Sequence, residues 1–167
     1  MHIALILSTV IGISRAKGLA ADQACSARAL IYSATADFRH DSIPTAVQAL
    51  ITNGPASNVQ FDHTEDQTWF TDDRLAQYDA IVFLQNTGEV LDTNGQAAFQ
   101  RYIDSGGNFV GIHAASDCLR NSTFFDRELG AHFDYHPEIQ NAIIDVIGPS
   151  HPSTANLPAQ WHVFDEM

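Results

Sequence analysis

Ala80-Ile81-Val82-Phe83-Leu84, followed at once by Gln85-Asn86-Thr87-Gly88-Glu89, decides the fold. Five apolar residues without polar alternation read as a strand buried on both faces, and the abrupt switch to polar residues marks its carboxyl end. Working outward, residues 29–34 (ALIYSA), 59–63 (VQFDH) and 108–113 (NFVGIH) read as three more strands. Two of these, the first and last, are again nearly continuous in apolar character. Between the strands, Asp41-Ser42-Ile43-Pro44 is a helix start, with capping side chains and a proline in the first turn, and Asn53-Gly54 is its stop. Residues 71–78 and 92–105 are predicted as two further helices, the second closed by Gly106-Gly107. Strands alternating with helices, over connections too long for hairpins, predict a doubly wound α/β domain with a parallel sheet and right-handed crossovers. Residues 139–147 read as a later strand, and 149–167 as a loop with no closing strand of its own. No repeat, low-complexity segment or linker follows residue 28, so residues 29–167 are taken as one domain.

Composition agrees with an ordinary globular domain: of 167 residues, 45% are hydrophobic and 17% charged. The formal net charge of −12, with no gathering of basic residues, argues against nucleic acid and anionic membrane as partners and favours a neutral or cationic ligand. The uncharged run 3–13 (IALILSTVIGI) is too short to span a bilayer, which takes roughly 20 apolar residues. It suits the core of a signal peptide, with Gly18-Leu19-Ala20 offering small residues for cleavage after Ala20. Residues 1–20 are therefore expected to be a signal peptide, 21–28 an N-terminal tail, and the protein secreted. A cytoplasmic protein is the alternative, because Arg15 and Lys17 follow the apolar run instead of preceding it. Cys25 and Cys118 fall at opposite edges of the predicted sheet, outside disulfide reach, and are expected to be free thiols.

In an open parallel sheet, ligands bind beyond the carboxyl ends of the strands, where the strand order reverses. For an order 2-1-3-4, that rule selects Thr35 to Asp41 after the first strand, Gln85 to Glu89 after the third and His113 to Asp117 after the fourth. Gly111-Ile112-His113-Ala114-Ala115 has the small residues of a nucleophile elbow, but with histidine where serine or cysteine would stand. A covalent acyl intermediate is not expected there. A helix starting after His113 would turn its positive end to the ring and favour neutral imidazole, able to act as base, donor or metal ligand. The bland alternative is a buried ring donating to a carbonyl. His40 stands in a loop with no packing need for imidazole, whereas Arg39 and Asp41 equally suit a loop ion pair or helix cap. Of His132 and His136, only His136, before Pro137, is expected to reach the site, and His63, His151 and His162 are expected to be structural. A divalent metal such as zinc, held by His40, His113 and His136, is a variant of the reading. No CxxC pair, HExxH, P-loop or GxGxxG is present, so no specific cofactor signature exists.

Several blocks, in order along residues 29–166, resemble the ThuA-like (trehalose-utilisation) family: Phe38-Arg39-His40-Asp41-Ser42-Ile43, then Tyr78 to Leu84 with Thr87-Gly88-Glu89-Val90-Leu91, then Gly106 to Asp117. Gly130-Ala131-His132-Phe133, His136-Pro137, His151-Pro152-Ser153-Thr154, Leu157-Pro158, Trp161 and Asp165-Glu166 continue the match. The resemblance implies a flavodoxin-like sheet of the class I glutamine amidotransferase-like type, without the amidotransferase cysteine and hence without glutaminase activity. It implies a role in disaccharide or keto-sugar metabolism, and recurrent polar positions at Arg39, His40, Glu89, His113, Asp117, His136 and Glu166. Family domains usually continue past the Asp-Glu block, so the chain is expected to be truncated at its C-terminus.

The resulting expectation is a carbohydrate-active hydrolase, lyase or isomerase, or a protein that only binds its sugar, with a small-molecule carbohydrate as partner. His113 and His40 are the candidate general acid/base, Glu89 or Glu166 the carboxylate partner, and Arg39, Asp41, Asn86 and Asp117 the candidate substrate contacts. The competing readings are a non-catalytic sugar-binding module, with Trp69, Tyr32 or Trp161 as the stacking face, and an inactive fragment.

Overall fold

The apolar runs assemble as one parallel sheet in the computed structural model, which describes residues 26–165. Its strands are β1 (Ala27–Tyr32), β2 (Val59–Thr64), β3 (Ala80–Leu84) and β5 (Asn108–Ile112), in the order β2-β1-β3-β5. Two-residue strands β4 (Thr87–Gly88) and β6 (Asp117–Cys118) pair with each other beyond the sheet. The register sets Tyr32 opposite both Thr64 and Phe83, and Leu84 opposite Ile112. All four strands therefore end at one level, and the loops after β1 and β3 leave at the point where strand order reverses.

Successive side chains point to opposite faces of the sheet. Leu30, Tyr32, Ile81 and Phe83 pack on one side against Leu75 of α2 (Asp72–Leu75), Ala98 and Phe99 of α3 (Thr93–Asp104) and Phe124 and Phe125 of α4 (Thr123–Leu129). Ala29, Ile31, Val82 and Leu84 pack on the other, against Ile43 and Val47 of α1 (Ile43–Asn53). Each such apolar side chain, fully buried, contributes about 1.5–3 kcal/mol.

Helix ends show where local signals were overruled. Pro44 stands in the first turn of α1 as expected, but Ser42 makes no side-chain capping bond. Its hydroxyl instead meets the Gln85 side chain, whose Nε2 donates to Ser42 Oγ at 2.9 Å. The α-helix does stop where expected, at Asn53 with Gly54 as its C-cap, and a separate 3-10 turn, Gly54–Ser57, leads on to Asn58, which takes the left-handed conformation at φ 56°. Gly54 is required there by space, since a Cβ would fall 2.7 Å from the Phe61 ring and from the Val59 carbonyl oxygen. The third predicted helix is capped as its sequence suggests, with Asp92 Oδ1 accepting from the Gly95 N–H at 2.7 Å.

Three expectations need correcting. The second predicted helix shrinks to the four residues of α2. Strand β5 is not buried on both faces: it is the edge of the sheet, and Val110 stays 46% exposed. The segment read as a terminal loop contains β8 (Gln160–Asp165), antiparallel to β7 (Gln140–Asp145) with Ile143 opposite His162. Trp161, Val163 and Phe164 carry the β-forming character of β8, which the proline- and asparagine-rich approach to it obscured. No helix among the described residues is long and apolar enough to cross a membrane. The expected signal peptide, Cys25 and Glu166 lie outside the described residues. Cys118 is free and buried.

Candidate functional site

At the end of β5 the backbone turns from extended at Ile112 to left-handed at His113, φ 53°, and then makes one 3-10 turn, His113–Ser116. Small residues flank the turn, Gly111 before it and Ala114 and Ala115 within it. The sharp turn expected from the sequence is present, but the helix after it is not. The argument from a helix's positive end therefore has no structural basis. Gln85, at the end of the neighbouring β3, is also left-handed at φ 56°, and its N–H donates to the Ile112 carbonyl at 3.1 Å. Two adjacent non-glycine residues in this region hold strain of about 1–2 kcal/mol each, which commonly marks functional sites.

The turn exposes the His113 ring and brings its Nε2 to 3.2 Å from Nε2 of His40, with ring centroids 4.7 Å apart, edge to face. The Phe38 ring stands over His40 at 4.9 Å and is itself 66% exposed. Beneath this pair the loops are joined by buried polar bonds. Thr35 bridges to Thr87, the Ala36 N–H donates to the Thr87 carbonyl at 2.8 Å, and Thr87 Oγ1 donates to the Phe38 carbonyl at 2.6 Å. Asn86, fully buried, donates from Nδ2 to the Ala34 carbonyl at 3.0 Å. In this position it holds the exits of β1 and β3 together. Gly88, at φ 72°, lies so close to the Ala36–Asp37 peptide that a Cβ would be 3.1 Å from the Asp37 nitrogen.

Arg39 is anchored by a partner that the sequence reading missed. Its Nη2 donates to Glu65 Oε1 at 2.7 Å and its Nη1 to Glu65 Oε2 at 3.3 Å. Glu65 also accepts from Ser33 Oγ at 3.2 Å, and Ser33 Oγ stands 2.8 Å from His63 Nε2. Burial pushes the Glu65 carboxyl up, but Arg39, Ser33 and His63 together more than reverse this and hold it below the ordinary glutamate value. The signal was available, because Glu65 follows the carboxyl end of β2 just as the chosen loops follow β1, β3 and β5.

The remaining expected residues spread around this centre. Glu89 is exposed, and its Oε1 accepts from the Asn121 backbone N–H at 3.3 Å and from Asn121 Nδ2 at 3.1 Å. Asp117, opposite Thr87 in the β4–β6 pair, receives Arg120 Nε at 2.7 Å. Asp41 is exposed just before α1. His136 donates from Nδ1 to the Pro137 carbonyl at 3.0 Å and lies beside the Phe133 ring. No group of three or more His, Cys, Asp or Glu able to hold a metal occurs among the described residues, so His40, His113 and His136 do not form the expected triad. Tyr32 is not a stacking platform: it is fully buried, with its hydroxyl donating to the Val90 carbonyl. The Arg74 guanidinium covers Trp69 at 4.1 Å, and Trp161 lies in β8.

Comparison with known proteins places this geometry in context. Among solved structures, a ThuA-like protein from Bacteroides uniformis superposes with a TM-score of 0.70 at 24% identity, over 86% of this chain and 60% of its own. The chain thus spans less than two thirds of that neighbour's length, and the likeness is one of fold. No curated protein matches. The family model described as trehalose utilisation (ThuA) matches residues 28–167, all of the sheet but Ala27 and the loops that carry the histidine pair, and the chain belongs to the ThuA family.

Proposed function

We propose that the protein acts on a carbohydrate of the disaccharide or keto-sugar class at the carboxyl edge of its sheet, using His40 and His113 as an acid/base pair. The observation that carries this reading is the 3.2 Å approach of the two Nε2 atoms from separate loops. A hydrogen bond between imidazoles needs one N–H donor and one lone-pair acceptor, so one Nε2 carries the shared proton while the other presents its lone pair. One ring can take a proton from a sugar hydroxyl, or from carbon beside a keto group, while the other delivers one. Arg39, fixed in direction by Glu65, would orient a carbonyl or anionic oxygen, with Glu89 and Glu166 as candidate carboxylate partners. The small-molecule partner and secretion, supported by the apolar run 3–13, belong to the same proposal.

Turnover of a panel of disaccharides and keto-sugars, followed by NMR, tests the reading. General acid/base groups contribute about 10²–10⁴-fold, so a His40→Ala, His113→Ala double variant is expected to lose at least that much. Unchanged turnover overturns it. A sugar whose ligand-detected signals respond without being consumed identifies a binding protein instead. The same separation favours a second reading, a zinc-type cation: two imidazole nitrogens on one tetrahedral zinc, each at about 2.0–2.1 Å, stand about 3.3 Å apart. The pair supplies only two ligands, so metal analysis after chelator-free purification decides between them.

A further inference from the structure

Behind the His113 turn stands a histidine whose two ring nitrogens both face acceptors. His132 Nδ1 lies 3.1 Å from the Ser116 backbone oxygen, and its Nε2 meets Asp126 Oδ1. A carbonyl oxygen and an ionised carboxylate can only accept, and a neutral imidazole carries one N–H. Both contacts are hydrogen bonds only when the ring carries two protons.

What these contacts join gives them consequence. Ser116 closes the 3-10 turn that begins at His113, and its carbonyl also accepts the Phe133 N–H at 3.0 Å. Gly130, left-handed at φ 80°, ends α4 and turns the chain back toward this carbonyl. Arg120 completes the clamp, one end on the Phe133 carbonyl and the other on Asp117. Beyond the clamp the chain carries Tyr135, 79% exposed, and His136.

We propose that His132 is a proton-operated latch: as imidazolium it ties residues 131–136 to the His113 turn, and on losing a proton it surrenders one of its two anchors and releases that segment. The charged groups around the ring come from α4, the loop before it and β6. Asp126 of α4 favours the charged form; Arg120, from the loop before α4, opposes it and is itself balanced by Asp117 of β6. The turn contributes only the Ser116 carbonyl, which also favours the charged ring. The bond to Asp126 outweighs burial and Arg120 and holds His132 above the ordinary histidine value of 6.5, so the latch opens on the alkaline side of that value.

The latch rests on this clamp and not on the chemistry of the His40–His113 pair, and its test needs no substrate. In the full chain, the His132 ring would be followed by NMR from about pH 5.5 to about 8.5, alongside hydrogen exchange of the Phe133 amide corrected for intrinsic rate. The ring is expected to titrate above 6.5 with both nitrogens protonated below its midpoint. Phe133 protection should then fall as pH rises from the ordinary value of 6.5 to that midpoint, by at most about tenfold per pH unit, and level off above it. Asp126→Asn should lower the midpoint and shift the loss of protection with it, and His132→Gln should leave protection independent of pH. Constant protection in the parent chain, a midpoint at or below 6.5, or a midpoint unmoved by Asp126→Asn would overturn the latch.

Discussion

The guanidinium of Arg39 and the carboxylate of Glu65 meet through two hydrogen bonds, joining the loops that leave β1 and β2. Both side chains remain more than two-fifths exposed, so the pair contributes only about 0–1 kcal/mol to stability. Its depressed carboxyl gives it a pH signature. The contribution is complete above 4.5, the ordinary value that the unfolded chain retains, and is lost as pH falls through the lower folded value. Glu65→Gln should therefore melt slightly below the parent at neutral pH, with the gap closing as pH falls below 4.5. Melting curves over a pH series check this, and a gap that persists in acid would mean the carboxylate charge is not what matters.

His113 holds its ring toward His40 from a left-handed backbone. Glycine adopts that conformation without strain, whereas alanine retains a penalty of about 1–2 kcal/mol. Comparing His113→Gly with His113→Ala isolates the backbone, because both remove the ring. The glycine variant is expected to be more stable by about 1 kcal/mol in denaturant titration, and equally inactive toward any sugar the parent turns over. Equal stability of the two would show that the turn is not strained.

Strands β1, β3 and β5 were legible because their nearly continuous apolar runs end in polar residues, and from their order followed the loops that carry Arg39, His40 and His113. The approach of the two histidines is thus a consequence of topology that can be read before any contact is seen. Glu65 was missed as Arg39's partner because the loop after β2 was not among those selected, although the parallel pairing of β1 with β2 brings the two together across 26 residues. Helix α4 and strand β8 were missed for a different reason. Each has only seven and six residues, too few for a period to declare itself, and each is flanked by residues with strong turn character. Ser42 shows the remaining limit: a good capping residue by type, it is drawn instead to Gln85, a side chain placed by the sheet.

Cys118 is fully buried between the core and the site, with its Sγ donating to the Ala115 carbonyl at 3.3 Å. Burial foremost, and then the charges of Glu89 and Asp117, push its thiol far above the ordinary cysteine range. The thiolate is the reactive species, so native protein should leave Cys118 unmodified by iodoacetamide at mildly alkaline pH. Labelling should appear only as the domain unfolds. Peptide mass analysis separates it from Cys25, and rapid native labelling of Cys118 would contradict the packing described here.

Phe83 and Leu84 are sequence neighbours on opposite faces of β3, and their truncation should have unequal effects. The Phe83 ring stacks on Phe99 at 5.1 Å and touches Tyr32, Phe70, Phe109 and Phe125, so its removal leaves a hole walled by rings that are held on every side. Phe83→Ala is expected to cost about 3–5 kcal/mol. Leu84 lines a groove of about 480 Å³ with Ala46, Leu50, Phe61 and Ile112, where α1 alone covers the sheet. Neighbours bordering open space can relax into it, and the cost of a cavity depends on how far its walls collapse. Leu84→Ala should accordingly fall near the lower end of the leucine range, about 2–3 kcal/mol. Urea titrations of the two variants test the difference, and an equal loss would mean that the α1 face is packed as rigidly as the aromatic one.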